Sequence, residues 1–126
     1  EALGGYLRLA ERLTLGERRF ADGWNFGPDE GDARSVEWIV QRLLAHWGDE
    51  AGWVGGDAPA LHEAKMLRLD CSKARAALGW RPRLTLDETL RWIVDWHRAE
   101  TNGEPPRELS VRQINDYAAR PPLGLA

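Results

Sequence analysis

The chain has 126 residues, 43% hydrophobic and 29% charged, enough for one domain whose core needs neither disulfides nor a metal. Its net charge of -3, with acids and bases interspersed, argues against nucleic acid or an anionic membrane surface as a partner. The single cysteine, Cys71, excludes an internal disulfide and fits a reducing, cytoplasmic setting, and no apolar run approaches the roughly 20 residues that span a bilayer.

The first residue is Glu1, not methionine, and the sequence enters a helical pattern at once, which reads as the tail of something longer. Leu3, Leu7, Ala10 and Leu13 share one face at helical spacing, with Arg8, Glu11 and Arg12 mostly opposite, predicting a helix over 3–13. Gly4 and Gly5 weaken its start. A polar loop covers 14–23. Trp24-Asn25-Phe26, between Gly23 and Gly27-Pro28, reads as a short buried strand ending in a turn. Ser35 is placed to cap the next helix, where Val36, Ile39, Val40, Leu43, Leu44 and Trp47 recur every three or four residues until Gly48. Trp53-Val54, between glycines, reads as another short strand.

Residues 65–69 alternate long polar and apolar side chains, the pattern of a strand with one covered face. Asp70, with Ser72 as a second candidate, is placed to cap an alanine-rich helix over 71–78. Gly79 suits its left-handed end, Trp80 can fold back on it, and Pro82 prevents its continuation. Thr85-Leu86-Asp87-Glu88 matches a capping box, opening a helix with Leu86, Leu90, Ile93, Val94 and His97 on one face. Pro105-Pro106 reads as a linker. Ser110-Val111-Arg112-Gln113 reads as a second capping box, before a short helix with Val111, Ile114 and Ala118 inward. The sum is an α/β arrangement with helix in excess and a few short strands: a main body over about 1–103, then a linker and short helix over 104–126.

Little of this pattern is chemical. Gly48, Gly52 and Gly55 have the spacing of a dinucleotide loop, but a helix precedes them where a strand is required. His46, His62 and His97 are far apart, and Cys71 has no companion at ligand spacing, so no metal site is expected. His97, near an apolar helix face, reads as packed rather than ligating. Ser35, Ser72 and Ser110 all have capping roles, and neither tyrosine opens a Tyr-x-x-x-Lys pair, so no catalytic residue is assigned. The polar cluster His62, Glu63, Lys65 and Arg68 can hold a phosphate or sugar, with Lys or Arg as charge partner, or can be a solvated strand edge. Trp53 is a candidate for stacking on a base or sugar.

Several stretches resemble a known family. Leu69-Asp70-Cys71-Ser72-Lys73-Ala74, Leu78-Gly79-Trp80-Arg81-Pro82 and Trp92-Ile93-Val94-Asp95-Trp96-His97 are similar to the C-terminal part of extended short-chain dehydrogenase/reductases. His62-Glu63-Ala64, Gly79-Trp80-Arg81-Pro82-Arg83 and Leu109-Ser110-Val111-Arg112-Gln113-Ile114-Asn115-Asp116-Tyr117 resemble the CDP-glucose 4,6-dehydratases among them, as do Leu3-Gly4-Gly5-Tyr6-Leu7 and Trp24-Asn25-Phe26-Gly27-Pro28. The resemblance implies the helix-rich C-terminal, substrate-binding part of such an enzyme, without its Rossmann core. These enzymes use NAD to oxidise the sugar at C4, eliminate water across C5 and C6, and return the hydride to C6. They act in the cytoplasm as homo-oligomers and feed surface-polysaccharide biosynthesis. The glycine-rich NAD loop and the Tyr-x-x-x-Lys pair are not in these 126 residues, so the chain is expected neither to bind NAD nor to turn over substrate by itself.

Many relatives carry an arginine for the diphosphate shortly before the Asp-x-Ser-Lys motif; here that stretch is Ala60-Leu61-His62-Glu63. His62, Glu63 and Lys65 are the candidate contacts to the CDP side, and Asn25 a candidate contact to substrate. The alternatives are a stand-alone nucleotide-sugar-binding module or another nucleotide-sugar epimerase or dehydratase. A helical DNA-binding domain is disfavoured by the acidic balance.

Overall fold

The computed structural model describes residues 1–48, 52–54 and 69–124. Five helices carry the fold: α1 (Ala2–Thr14), α2 (Val36–Trp47), α3 (Ser72–Leu78), α4 (Leu86–Thr101) and α5 (Pro106–Ala119), with 3-10 turns at Arg18–Phe20 and Glu30–Asp32. No strand forms among the described residues. Trp24–Phe26 and Trp53–Val54 join no ladder, because a strand needs a neighbour whose backbone groups answer its own, and none lies beside them there. Trp53 and Val54 are exposed. The strand expected over 65–69 lies outside the described residues except for Leu69, which is exposed and unpaired in any ladder.

One core gathers around α1 and α3: Phe20, Phe26, Cys71, Ala74, Leu78 and Trp80, with Ala2, Leu9 and Trp24 packed against them. Phe26 is its centre, meeting Tyr6 and Trp80 edge to face at 5.4 and 5.1 Å between ring centroids. α1 approaches Phe26 through Gly5, its one buried residue. The stripe of Leu3, Leu7, Ala10 and Leu13, which shares one helix face, is exposed. The close fit of Gly5 to the aromatic ring sets the helix rotation, and the leucine stripe is left pointing away.

α3 ends as expected. Gly79 is left-handed at φ +60°, and the Trp80 amide reaches back to the Ala74 carbonyl, which delivers the indole into the core. Arg8 of α1 donates to the carbonyls of Leu78 and Gly79, fastening the two helices. At the start of α3, the Asp70 carboxylate accepts from the Ser72 amide at 2.8 Å although the first helical residue is Ser72 itself. The Ser72 hydroxyl first, and its amide next, hold the Asp70 carboxyl below its ordinary value.

A second core holds α4 between α2 and α5, with Leu90, Val94 and Leu109 buried. The Ser35 hydroxyl caps α2 by accepting from the Trp38 amide, and Gly48 at φ +100° ends it. α2 buries none of its residues completely. Val40, Leu43, Leu44 and Trp47 meet Ile93 and His97 of α4 around an open apolar notch of about 340 Å³. His97 is exposed, edge-on to Trp96, so it is not the packed histidine expected. Asp87 pins α2 to α4 by accepting from Arg42 and, at 2.9 Å, from His46. The Arg42 guanidinium first, and His46 next, hold the Asp87 carboxyl far below the usual carboxylate range.

α5 begins at Pro106, not after Ser110. Proline is tolerated at the first helical position, where its missing N–H has no partner to lose, so Pro105-Pro106 is a helix start and not a linker. Ser110 lies inside the helix, donating to the Pro106 carbonyl at 2.8 Å and accepting from the Trp96 indole. Val111 and Ile114, expected inward, are exposed, and Leu109 supplies the anchor. The loop before α4 ties the termini together. Glu1 accepts from the amides of Arg83 and Leu84 and from the Tyr117 hydroxyl, and Arg83 donates to the carbonyls of Tyr117, Ala118 and Arg120 at the end of α5. Burial first, then the bond to Glu1, pushes the Tyr117 phenol up to about 12.

Thr85 and Glu88 form the reciprocal capping box of α4, and Arg120 pairs with Glu88 at 2.7 Å. Arg120 first, then the Thr85 amide, lowers the Glu88 carboxyl from 4.5 to about 2. A folded-state value below the unfolded one means stability that is complete above pH 4.5 and lost as the pH falls through 2. Glu88→Gln keeps the cap but removes this titration. Melting temperature against pH should therefore fall less steeply between pH 4.5 and 2 in the variant than in the parent; an unchanged slope would remove Glu88 from the acid response.

Candidate functional site

Asn25 and the stacking candidate Trp53, which is exposed, are among the described residues; His62, Glu63, Lys65 and Arg68 lie outside them. Local packing turns Asn25 outward. The Trp24 indole N–H donates to the Phe20 carbonyl at 2.9 Å, folding the chain back after the 3-10 turn, and Phe26 is drawn into the core. Between these two anchored aromatics the Asn25 side chain is exposed, and its amide donates to the Asp70 carbonyl at 3.2 Å.

That bond is one of four that sew residues 22–29 to residues 70–75. Lys73 pairs with Asp22, donates to the Gly23 carbonyl at 3.0 Å, and lies 4.5 Å above the Trp24 ring. Arg75 pairs with Asp29 at 2.9 Å. Gly27 lets the two segments touch: a methyl group there would sit 3.3 Å from Leu69 Cδ1 and 3.5 Å from Cys71 Sγ. Lys73 and Asn25 are thereby set beside Leu69-Asp70, the point at which the chain leaves the stretch carrying His62, Glu63 and Lys65. Asp22 and Trp24 are parts of this seam that sequence reasoning missed, since a cation held over an indole fifty residues away has no local signature.

The seam is polar, with Asp22, Asn25 and Lys73 exposed. Its Lys73 hydrogen-bonds the Asp22 carboxylate, which is held below its ordinary value by Lys73 first and the Gly23 amide next. Asn25 spends one N–H on Asp70, and its carbonyl oxygen has no partner among the described residues. No group of three metal-ligating side chains occurs among the described residues. Gly48 ends α2, so a helix and not a strand leads into the Gly48–Gly52 spacing, and a dinucleotide loop does not fit there.

No family model matches the chain. Over 117 residues, 93% of its length, it is 48% identical to the CDP-glucose 4,6-dehydratase of Salmonella typhimurium, matching the C-terminal third of that protein. The chain resembles CDP-glucose 4,6-dehydratase. It spans about a third of the length of that relative. A shorter match, 52% identical over 29 residues, joins 23% of the chain to 9% of the dTDP-glucose 4,6-dehydratase of Haemophilus influenzae. The motifs that carry the likeness to CDP-glucose 4,6-dehydratase are mostly structural in this chain. Gly79-Trp80 ends α3 and fills the core, Trp92 to His97 lie in α4, and Leu109 to Tyr117 lie in α5. Asn25, Asp70 and Lys73 are motif residues exposed at the seam. No helix among the described residues is long and apolar enough to cross a membrane.

Proposed function

We propose that this chain is the C-terminal, nucleotide-sugar-facing part of an NAD-dependent CDP-glucose 4,6-dehydratase, one that converts CDP-glucose to CDP-4-keto-6-deoxyglucose and water. The observation that carries this reading is 48% identity over nearly the whole chain to the C-terminal third of a protein with that activity. Gly48 ends a helix and so does not open a dinucleotide loop, and in this reading NAD is held by a portion of the polypeptide that precedes these residues. The chain alone is then a recognition element without turnover.

In this reading Lys65 faces the diphosphate as a compact cation, and His62 and Glu63 supply a donor and an acceptor on the CDP side. They precede Asp70 by five to eight residues in the sequence. Asn25 offers its exposed side-chain carbonyl to a sugar hydroxyl. The His62→Ala variant of the longer polypeptide should bind CDP-glucose about tenfold more weakly, roughly 1.4 kcal/mol, by calorimetry. Unchanged affinity would remove His62 from the site. The match to a dTDP-glucose 4,6-dehydratase favours a second reading, in which the nucleotide is dTDP; tighter binding of dTDP-glucose than of CDP-glucose in the same titrations would select it.

A further inference from the structure

The Cγ of an asparagine or aspartate can be attacked by the backbone nitrogen of the next residue, and a following glycine, with no Cβ, hinders that approach least. The sequence holds two such pairs, Asp22–Gly23 and Asn102–Gly103. Their surroundings differ. Asp22 belongs to the seam, where Lys73 pairs with it and the Gly23 amide donates to its Oδ1 at 2.7 Å. Lys73 first, and that amide next, hold the Asp22 carboxyl below its ordinary value. A carboxylate has no neutral leaving group, so Asp22 stays closed to this attack near neutral pH. Asn102 is the opposite case. It stands just past the end of α4, exposed, and its side chain has no hydrogen-bond partner among the described residues. Gly103 is exposed and left-handed at φ +93°, and a methyl group there would meet nothing within 4 Å, which leaves room for a ring. The Gly103 nitrogen donates to the Glu100 carbonyl at 2.9 Å, a bond in the last, exposed turn of a helix, which opens at little cost and frees the nitrogen. The other two asparagines lack this freedom. Asn25 donates to the Asp70 carbonyl and precedes the buried Phe26, and Asn115 lies inside α5, whose ladder fixes the backbone.

We propose that Asn102–Gly103, in the turn between α4 and α5, is a site of spontaneous covalent modification through a succinimide. The Gly103 nitrogen forms a bond to Asn102 Cγ, the Cγ–Nδ2 bond breaks, and the proton lost from Gly103 leaves with Nδ2 as ammonia. Solvent water then opens the ring at either carbonyl, leaving aspartate or isoaspartate. No oxidant, cofactor or enzyme takes part. Either product puts a carboxylate at the C-terminal end of α4, close in sequence to Glu100 and Glu104, where the helix carbonyls already carry partial negative charge. Isoaspartate also lengthens the backbone of the turn by a methylene.

The longer polypeptide, held for weeks at body temperature and mildly alkaline pH and then digested with trypsin, tests this in the peptide Ala99–Arg107. The expected result, read by chromatography and mass spectrometry, is conversion of Asn102 to both aspartate and isoaspartate, with Asn25, Asn115 and Asp22 intact. Asn102→Gln, whose extra methylene would demand a larger ring, should fold as the parent does and lose the modification. Intact Asn102 in the parent would overturn the proposal. Aspartate without isoaspartate would assign direct hydrolysis of the side chain and overturn it too. Conversion of Asn25 or Asn115 at the same pace would mean that the turn confers nothing, and would equally overturn it.

Discussion

Phe26→Ala should destabilise the protein by about 3–5 kcal/mol, the largest single-residue effect expected among the described side chains. The ring is the meeting point of α1, the 3-10 turn region and Trp80, so its loss opens a cavity that three separate segments would have to close. Gly5→Ala probes the same contact from the other side. A methyl group on Gly5 would stand 2.3 Å from Cδ1 and 2.5 Å from Cε1 of that ring, inside any real carbon–carbon contact. The helix gains about 1 kcal/mol when alanine replaces glycine, whereas overpacking a core costs about 1–3 kcal/mol. With a separation this short and a ring held edge-on by two aromatic neighbours, overpacking wins, and the net expectation is a loss of about 1–2 kcal/mol. The two substitutions are therefore coupled. In the Phe26→Ala background, Gly5→Ala should become neutral or stabilising, because the methyl group enters the space the ring has left. Urea midpoints of the four proteins measure this; an equal cost of Gly5→Ala in both backgrounds would mean that the ring contact is not what fixes α1.

The same contact explains what was legible in the sequence and what was not. Caps and stops depend on a few neighbouring residues, so Ser35, Gly48, Gly79 and the Thr85–Glu88 box stand where local chemistry places them. Rotation of a helix about its axis is a tertiary property. The leucines of α1 form the better stripe, yet Gly5 faces the core because only an absent side chain admits Phe26. Ser110 failed in a similar way. Ser-x-x-Gln is a sound capping pattern, but Pro106, four residues earlier, had already opened the helix, and the hydroxyl bonds back to its carbonyl. The seam was half legible: Asn25 and Asp70 stand out by residue type, whereas Lys73 over Trp24 depends on two distant segments meeting. Strands at 24–26 and 53–54 were read from composition that suits a sheet, and a sheet needs partners that the described residues do not supply.

The central claim is that this chain recognises the nucleotide sugar while the chemistry lies in the polypeptide before it. Turnover is the most direct measure, because the expected contrast is all or none. No group of three metal-ligating side chains occurs among the described residues, Gly48 ends a helix where a dinucleotide loop would need a strand, and a 4,6-dehydration that transfers a hydride from C4 to C6 requires a nicotinamide cofactor. Formation of the 4-keto-6-deoxy product from CDP-glucose and NAD should accordingly be absent with residues 1–126 alone and sustained with the longer polypeptide that carries them. Product formed by residues 1–126 alone, or a longer polypeptide that leaves CDP-glucose unchanged, would contradict the account.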